Sequence, residues 1–269
     1  MPAPNTSHAH QIYLRGEKRK RKIVTLLRWG LLVVLLGLWE LLATLGVIDT
    51  FLMSCPSRIA TTLYKLTASG ELFVHIGYTL YETVTGFLIA TTLGTLIASV
   101  LWWFETARNV LEPYVIVLNG LPKIALGPIL IVWAGAGTGA IVAMTVLICI
   151  VITVIDMLAG FTAVDKEKRL LMQTMHASRL QTFTKLVLPA NVSTLISVLK
   201  VNVGLSWVGS IMGEYLVSRA GLGYLIVYGG QVFKLDLVMA STVILCALAG
   251  VMYSLVVIIE KKVKKHHLA

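Results

Sequence analysis

Charged residues are scarce in this sequence. Aspartate, glutamate, lysine and arginine together make up 13% of its 269 residues, whereas soluble domains carry about 25%. The remaining charges are clustered, so residues 83–104, 134–155 and 237–259 contain none. As helices that rise about 1.5 Å per residue, these runs reach about 33 Å, enough to cross a hydrocarbon core about 30 Å thick. The scarcity of charge therefore excludes a soluble domain and predicts an integral membrane protein.

Groups that support enzymatic or redox chemistry are scarce as well. The three cysteines, Cys55, Cys149 and Cys246, lie far apart, which gives neither a disulfide framework nor a metal-binding spacing. The sequence has no G-x-x-x-x-G-K-S/T loop for nucleotide phosphates and no convincing Ser/His/Asp arrangement. We therefore expect no catalytic residue, metal or cofactor in this chain. Any energy-driven process must draw on a partner chain or on an ion gradient.

The formal net charge of +10 would suit nucleic-acid binding, but the positions of the basic residues argue against it. They crowd before the first apolar run, in one internal loop and after the last apolar run, as topology signals do. With both termini placed in the cytoplasm, most of the 23 lysine and arginine residues fall on the cytoplasmic side. The pattern thus predicts cytoplasmic termini, an even number of spans, and contact with the lipid bilayer instead of nucleic acid.

Six transmembrane helices are predicted, at about residues 24–47, 79–103, 113–133, 139–158, 191–217 and 237–259. The first is expected to be retained, because its apolar run is too long for a signal peptide and lacks a cleavage site. The expected organisation is all-α: a basic cytoplasmic tail (1–22), a first span (23–48), an external loop (49–78), a five-helix core (79–260) that includes a cytoplasmic loop (159–190), and a second basic tail (261–269).

The external loop and the second span carry further local signals. In the loop, Ser54 precedes a short periodic apolar run, which is compatible with a capped amphipathic helix or with an irregular loop. The second span has small residues four positions apart, at Gly86, Ala90, Gly94 and Ala98. Such spacing lets another helix approach closely, either within the bundle or across a subunit boundary.

The third span is interrupted at residues 119–123 and again at Gly127-Pro128. Proline removes a backbone donor and glycine adds freedom, so the helix is either broken or kinked here. Broken backbone at membrane depth is tolerated where protein or a water-filled cavity satisfies it, and transporters often place binding sites at such breaks.

Ionisable residues within spans are costly and are therefore candidate functional residues. Glu82 and Asp156 lie near span ends, where we expect them to reach the solvated interface. Lys200 lies about 13 Å into the fifth span, where it could snorkel, pair with an acid or face a pathway. Pro122 and Lys123 stand at the break, and a cation in a cavity there would suit an anionic solute.

Two residues near the predicted outer end of the fifth span are further candidates. Glu214 precedes the glycine-rich stretch 221–230 and could belong to an outer gate or to a partner-binding surface. Trp207 could line a pathway, or it could anchor the bundle. On the opposite side, residues 168–181 are predicted to form a short helix with Leu171 and Met175 four positions apart, which could dock in a cleft of a cytoplasmic partner or remain a solvated connector.

The cytoplasmic loop also carries a family resemblance. Ala177-Ser178-Arg179, Lys185 and Leu188-Pro189-Ala190 match the second half of the loop motif of permease subunits of ATP-binding-cassette importers, of the nitrate/sulfonate/taurine type. The first half departs, because Leu170-Leu171-Met172 replace the family's E-A-A and His176 replaces its glycine. Further matches from about residue 38 onward include residues 121–128 with Trp133, and residues 221–226 after Glu214.

The resemblance implies a type I importer permease fold with a cytoplasmic coupling helix between the fourth and fifth spans. It implies a bacterial inner-membrane protein that imports a small solute, such as the anions sulfonate, taurine, nitrate or bicarbonate, with most of the selectivity set by the solute-binding protein. Implied partners are cytoplasmic ATPases that hold ATP and magnesium, a second permease copy in a homodimer, and an extracytoplasmic solute-binding protein. The residues expected to contact the ATPase are Lys168, Leu171, Met172, Met175, His176, Ala177, Ser178 and Arg179, and those expected to line the pathway are Pro122, Lys123, Lys200, Trp207 and Glu214.

Two other functions compete with this reading. A gradient-driven carrier or channel would work without an ATPase and would show an inverted repeat, and no convincing repeat relates the halves of the sequence. A membrane-embedded enzyme would need catalytic groups gathered at one depth, whereas the acids here are scattered along the chain.

Overall fold

The computed structural model describes residues 8–267, with side chains except at 8–15, 18, 21 and 265–267. The predicted tail residues 1–7 and 268–269 lie outside the described residues. The described chain is helical, as predicted, and its helices are α1 (His8–Thr44), α2 (Thr50–Met53), α3 (Pro56–Ala68), α4 (Glu71–Trp103), α5 (Glu105–Gly120), α6 (Gly127–Ala134), α7 (Thr138–Thr162), α8 (Lys166–Thr174), α9 (Arg179–Thr182), α10 (Leu188–Ala190), α11 (Val192–Val217), α12 (Leu222–Gln231) and α13 (Leu235–His267).

The predicted spans correspond to five continuous helices and one broken one. Within the described residues, α1, α4, α7, α11 and α13 are long and apolar enough to cross a membrane. The third predicted span corresponds to a bent pair, α5 and the stretch Lys123–Ala134, which meet at 90° and make a sixth span when the pair is counted as one. Of the two readings of the third predicted span, the broken helix is therefore correct and the simple kink is wrong.

Several helices extend beyond the predicted apolar spans. Helix α1 begins at His8, well before residue 23, and α13 continues through most of the predicted tail at 261–269. Helix α4 begins at Glu71, directly after Gly70 with its left-handed φ of 80°, so the connection before it is shorter than 49–78. Hydrophobicity marks only the apolar part of each helix, whereas lysine and glutamate are good helix formers and extend the turns into the flanks.

A helix does form in the predicted external loop. Helix α3 begins at Pro56, whose missing amide costs nothing at the first helical position. The amide of Ser57 donates to Glu40 Oε2 at 3.0 Å, so a carboxylate from α1 satisfies a free donor of the first turn. The chain divides into two compact units, one up to Thr62 and the other from Leu63, and the boundary falls within α3.

The core of the second unit is the packing of α4 and α11 against α7. A Cβ added to Gly86 would lie 2.5 Å from Thr145 Cγ2, and one added to Gly209 would lie 2.7 Å from the Cα of the same threonine. A Cβ at Gly94 would lie 2.6 Å from Thr153 Cβ. The small-residue face of α4 is thus buried inside the bundle, which confirms internal packing as its explanation.

Hydrogen bonds between buried polar side chains join the same three helices. Asn202 of α11 donates from Nδ2 to Thr91 Oγ1 at 2.9 Å and to Thr153 Oγ1 at 2.8 Å. Thr83 and Ser210 share a bond of 2.6 Å between their hydroxyl oxygens. Because lipid offers no hydrogen-bond partners, such bonds favour one packing of the helices, at about 0.6–2 kcal/mol each.

Replacing Gly94 by alanine is expected to destabilise the bundle by about 1–3 kcal/mol, because the new Cβ would overlap Thr153 and approach the Ile150 carbonyl oxygen. The matched control is Gly77→Ala on the same helix, where no atom beyond its chain neighbours and the helix's own nearby backbone lies within 4 Å of the added Cβ. Thermal melting in detergent should show a lower Tm for Gly94→Ala and an equal or higher Tm for Gly77→Ala. Equal melting of the two variants would contradict the close contact.

Candidate functional site

The connection between α7 and α11 has an exposed half and an anchored half. Helix α8 buries none of its residues, and Leu171 and Met175 keep 60% and 70% of their surface exposed. It is joined to the end of α7 by a bond from Arg169 Nη2 to the Thr162 carbonyl oxygen at 3.4 Å. Such a pair of largely exposed apolar side chains at helical spacing can dock on a partner.

The predicted single helix over 168–181 is wrong, because the chain forms two helices with a break between them. The His176 amide bonds the Gln173 carbonyl, and the Ala177 amide bonds the Met172 carbonyl at 3.0 Å, the paired bonds of a Schellman helix end. His176 has a φ of 57°, the left-handed conformation in which glycine is normally found. The family motif has its glycine at this position, so the motif marks the end of α8.

A capping box starts the second helix of the segment. The Gln181 amide donates to Ser178 Oγ at 3.2 Å, and the Ser178 amide donates to Gln181 Oε1 at 2.8 Å. This reciprocal pair satisfies two donors that the helix start would otherwise leave free. The next residue, Arg179, then has its Cζ atom 5.9 Å from the ring centres of both Trp102 and Trp103 at the end of α4.

The residues predicted to contact an ATPase thus fall into two groups, one on or beside α8 and one at and after the break that follows it. Lys168, Leu171 and Met175 are exposed on or beside α8, and Met172 is half-buried. His176, Ala177 and Ser178 shape the break, whereas Arg179, although exposed, lies beside two tryptophans. No sequence pattern had singled out those tryptophans, although two adjacent tryptophans at a span end are a recognisable signal.

The 90° bend places Lys123 between the two halves of the broken span. Pro122 is exposed, and Lys123 begins a 3-10 turn that ends at Leu126. The ammonium group of Lys123 donates to the backbone oxygen of Asn119 at 3.4 Å and to its Oδ1 at 3.2 Å. Both acceptors are neutral oxygens, so they do not offset the positive charge of this half-buried lysine.

Lys200 is held in an ion pair. Its Nζ lies 2.6 Å from Glu260 Oε2 on α13, and the other oxygen of Glu260 lies 2.9 Å from Lys264 Nζ. Of the three roles considered for Lys200, pairing with an acid is the one that the structure contains. The sequence could not identify Glu260 as the partner, because the two residues lie on different helices.

Glu214 caps the start of α12. Its Oε2 accepts from the Gly223 amide at 2.6 Å and from the Tyr224 amide at 3.3 Å. A Cβ at Gly221 would overlap the carboxyl group, which explains why glycine stands there. Helix α12 itself was missed, because its glycines resemble those of a loop. An acid that accepts from these amides satisfies donors that the helix start leaves free.

A second carboxylic acid, Glu82, lies beside Glu214. The expectation that Glu82 reaches the solvated interface is wrong, because 1% of its surface is exposed, against 2% for Glu214. The two buried carboxyl groups are close enough to interact electrostatically. Next to them, Thr79 Oγ1 accepts from the Leu222 amide at 2.8 Å. Glu214 and Thr79 thus join α11 and α4 to the start of α12.

Trp207 is buried with 5% of its surface exposed and packs among apolar residues that include Leu222 and Leu225 of α12. The contacts made by Trp207 and Glu214 within the chain are those of bundle anchors. Of the residues predicted to line a pathway, Pro122 and Lys123 are therefore the two without a packing or ion-pair role in the described structure.

Comparisons with known proteins agree with this arrangement. The profile of the family described as "binding-protein-dependent transport system inner membrane component" matches residues 90–265. The chain is 26% identical over 238 residues to a protein of Bacillus subtilis (strain 168) named as an aliphatic sulfonates transport permease, SsuC, covering 88% of this chain and 86% of that protein.

A second relative carries a different name. The chain is 28% identical over 192 residues to the formylaminopyrimidine transport permease protein ThiX of Halalkalibacterium halodurans, covering 71% of this chain and 76% of that one. Among solved structures, the fold resembles a chain of the MetNI methionine ABC transporter in inward-facing conformations. That match has a TM-score of 0.62 at 16% identity and covers 70% of this chain and 94% of the other.

Replacing Glu214 by alanine is expected to destabilise the protein by about 1–3 kcal/mol, because the buried Gly223 amide and the half-buried Tyr224 amide would lose their acceptor. Glu105→Ala is the control, since Glu105 is largely exposed and pairs only with Arg108 on the same helix. Thermal melting in detergent checks both variants. An unchanged Tm for Glu214→Ala would show that Glu214 has no capping role and would return it to the pathway candidates.

Proposed function

The chain belongs to the family of binding-protein-dependent transport system inner membrane components, and on that premise we propose that it forms half of the membrane pathway of an ATP-driven importer. Two copies would enclose one pathway in the bacterial cytoplasmic membrane, with all termini in the cytoplasm. Cytoplasmic ATPase chains would hold the ATP and magnesium, and one would bind each copy. A solute-binding protein would deliver the solute to the outer face.

The observation that carries this proposal is the exposed apolar surface of α8. Leu171 and Met175 lie on one side of a helix that follows α7, on the side where the basic residues of the chain predict the cytoplasm. A soluble partner with a hydrophobic cleft would bury both side chains. The mostly polar remainder of α8 fits the rim of such an interface.

The proposed cycle is a rigid-body transition driven from that interface. ATP binding would bring the two ATPases together, and each would carry its α8 along. Because α8 connects directly to α7 and, through α9 and α10, to α11, the displacement would tilt the spans and move access to the pathway from one face to the other. This chain would contribute no chemical step.

We further propose that the solute is a small anion and that Lys123 faces it. Lys123 lies at the break of a span, carries a charge, and is bonded only to neutral oxygens of Asn119 in the described chain. Irregular backbone at membrane depth and an intramembrane cation are both features of solute pathways. The name of the sulfonate relative fits an anion, whereas the name of ThiX fits a neutral heterocycle, so the two classes can be compared directly.

Replacing Leu171 by aspartate is expected to reduce recovery of the ATPase about tenfold when the chain is co-expressed with its genomic neighbours and purified in detergent. An aspartate cannot be buried in the partner's cleft without a large desolvation penalty. Gln173→Asp is the matched control, because it adds the same charge to the opposite side of α8. Equal ATPase recovery with both variants would contradict docking through Leu171 and Met175.

Short alkanesulfonates are expected to stimulate ATP hydrolysis by the reconstituted complex, and replacing Lys123 by glutamine is expected to lower that stimulation at least about tenfold. An ion pair between Lys123 and the solute in a poorly solvated site would contribute more than about 1.4 kcal/mol, which corresponds to a tenfold change in affinity. Lys123→Arg should retain most of the stimulation, and Lys185→Gln, at an exposed lysine, should behave as wild type. Stimulation by formylaminopyrimidine and not by alkanesulfonate in the unmodified complex would exclude the anion and leave the importer intact.

A further inference from the structure

The sequence motif predicts that Arg179 contacts the ATPase, but the structure places it beside two tryptophans of this chain. Its guanidinium carbon lies 5.9 Å from the ring centres of Trp102 and Trp103, the last two residues of α4. A guanidinium within about 6 Å of an aromatic ring is attracted to the face of that ring. The residue therefore joins the cytoplasmic segment to the end of a span.

Phe183, one helical turn after Arg179, extends this contact to a second span. Its ring centre lies 4.9 Å from that of Trp102 and 5.5 Å from that of Phe161, a fully buried residue near the end of α7. Ring pairs at these distances contribute beyond simple burial. We call Trp102, Trp103, Phe161, Arg179 and Phe183 the aromatic anchor.

Hydrogen bonds and burial also hold the backbone of residues 183–191, which follow Arg179. Pro189 has no amide to continue the α-helical pattern, and the chain forms a π-helical turn in which the Leu188 amide bonds the Phe183 carbonyl. Val187 is fully buried, and Asn191 Nδ2 donates to its carbonyl oxygen at 2.9 Å. The segment 179–191 is thus attached at one end to α4 and α7 and at the other end to α11.

Helix α8 contrasts with this segment, because it buries no residue and reaches the ends of the spans chiefly through Arg169. Between the exposed helix and the aromatic anchor lies the break at Met175–Ser178. A force applied to α8 has two routes into the bundle: directly back into α7, or forward through the break to Arg179. The forward route contacts α4 directly at Trp102 and Trp103, whereas the backbone route reaches α4 only through its packing against α7.

We propose that Arg179 is a positioning residue that transmits movement of α8 to α4 through Trp102 and Trp103, and that it does not itself bind the ATPase. This inference rests on the proposed function, and it changes the role that the sequence motif assigns to Arg179. Removing the guanidinium would leave the docking surface of α8 intact and weaken its direct link to α4, because Phe183 would remain as the other contact with Trp102. The ATPase would still bind, but its hydrolysis would no longer respond to solute.

The test compares Arg179→Gln, Arg179→Lys and Lys185→Gln in the full complex. Lys185→Gln is the matched control, because it removes one positive charge from the same segment outside the aromatic anchor. We expect Arg179→Gln to keep ATPase recovery within about twofold of wild type while losing about tenfold of the stimulation of hydrolysis by binding protein and alkanesulfonate. Arg179→Lys should keep most of the stimulation of hydrolysis, since lysine keeps a cation near the rings.

Hydrogen exchange of the permease alone supplies a readout independent of the ATPase. Arg179→Gln should speed exchange of amides in 179–187 and leave those in 166–174 unchanged, and Trp103→Leu should do the same without adding to the effect of Arg179→Gln. Unchanged exchange of the 179–187 amides in Arg179→Gln would overturn the proposal. Because this measurement uses the permease alone, its outcome does not depend on whether an ATPase binds the chain. Loss of the ATPase in Arg179→Gln, as in Leu171→Asp, would also overturn it, because Arg179 would then belong to the docking surface.

Discussion

The close approach of α4 and α11 to α7 is the constraint on which the rest of the structure depends. Gly86 and Gly209 both lie against Thr145, so the three helix backbones meet at distances that only glycine permits. At this separation Asn202 can reach hydroxyl groups on both neighbouring helices. In a lipid environment the hydrophobic effect gives little preference among helix arrangements, so close packing and these polar bonds set the arrangement.

Both ends of this three-helix core carry a set of contacts that extends it. At one end the acids Glu82 and Glu214 join the core to the start of α12. At the other end the aromatic anchor joins it to the segment that leads to α8. The broken span and its lysine lie beside the core, since Gly127 packs against Met144 of α7. A fixed core with attachments at both ends is the arrangement expected of a body that moves as one piece.

The sequence predicted the features that depend on hydrophobic runs and on local chemistry. The six spans, the break near Lys123 and the packing face of α4 all follow from composition and spacing. The features it missed depend on neighbours distant in the chain. Glu82 looked like an interfacial residue because its depth was judged from the span end, yet it is buried against Glu214. The Lys200–Glu260 ion pair was missed for the same reason, because its two residues lie on helices far apart in the sequence. The end of α8 could have been predicted, because a glycine in the family motif indicates positive φ at His176.

The exposed apolar face of α8 also bears on how the cell handles this protein. Leu170, Leu171 and Met175 are exposed in the isolated chain, and exposed hydrophobic clusters of this kind promote aggregation and recognition by chaperones. On the proposed assembly, a partner covers them only once the complex has formed. Copies made in excess of that partner would be short-lived, so the lifetime of the permease would follow the supply of its partner without any dedicated regulator.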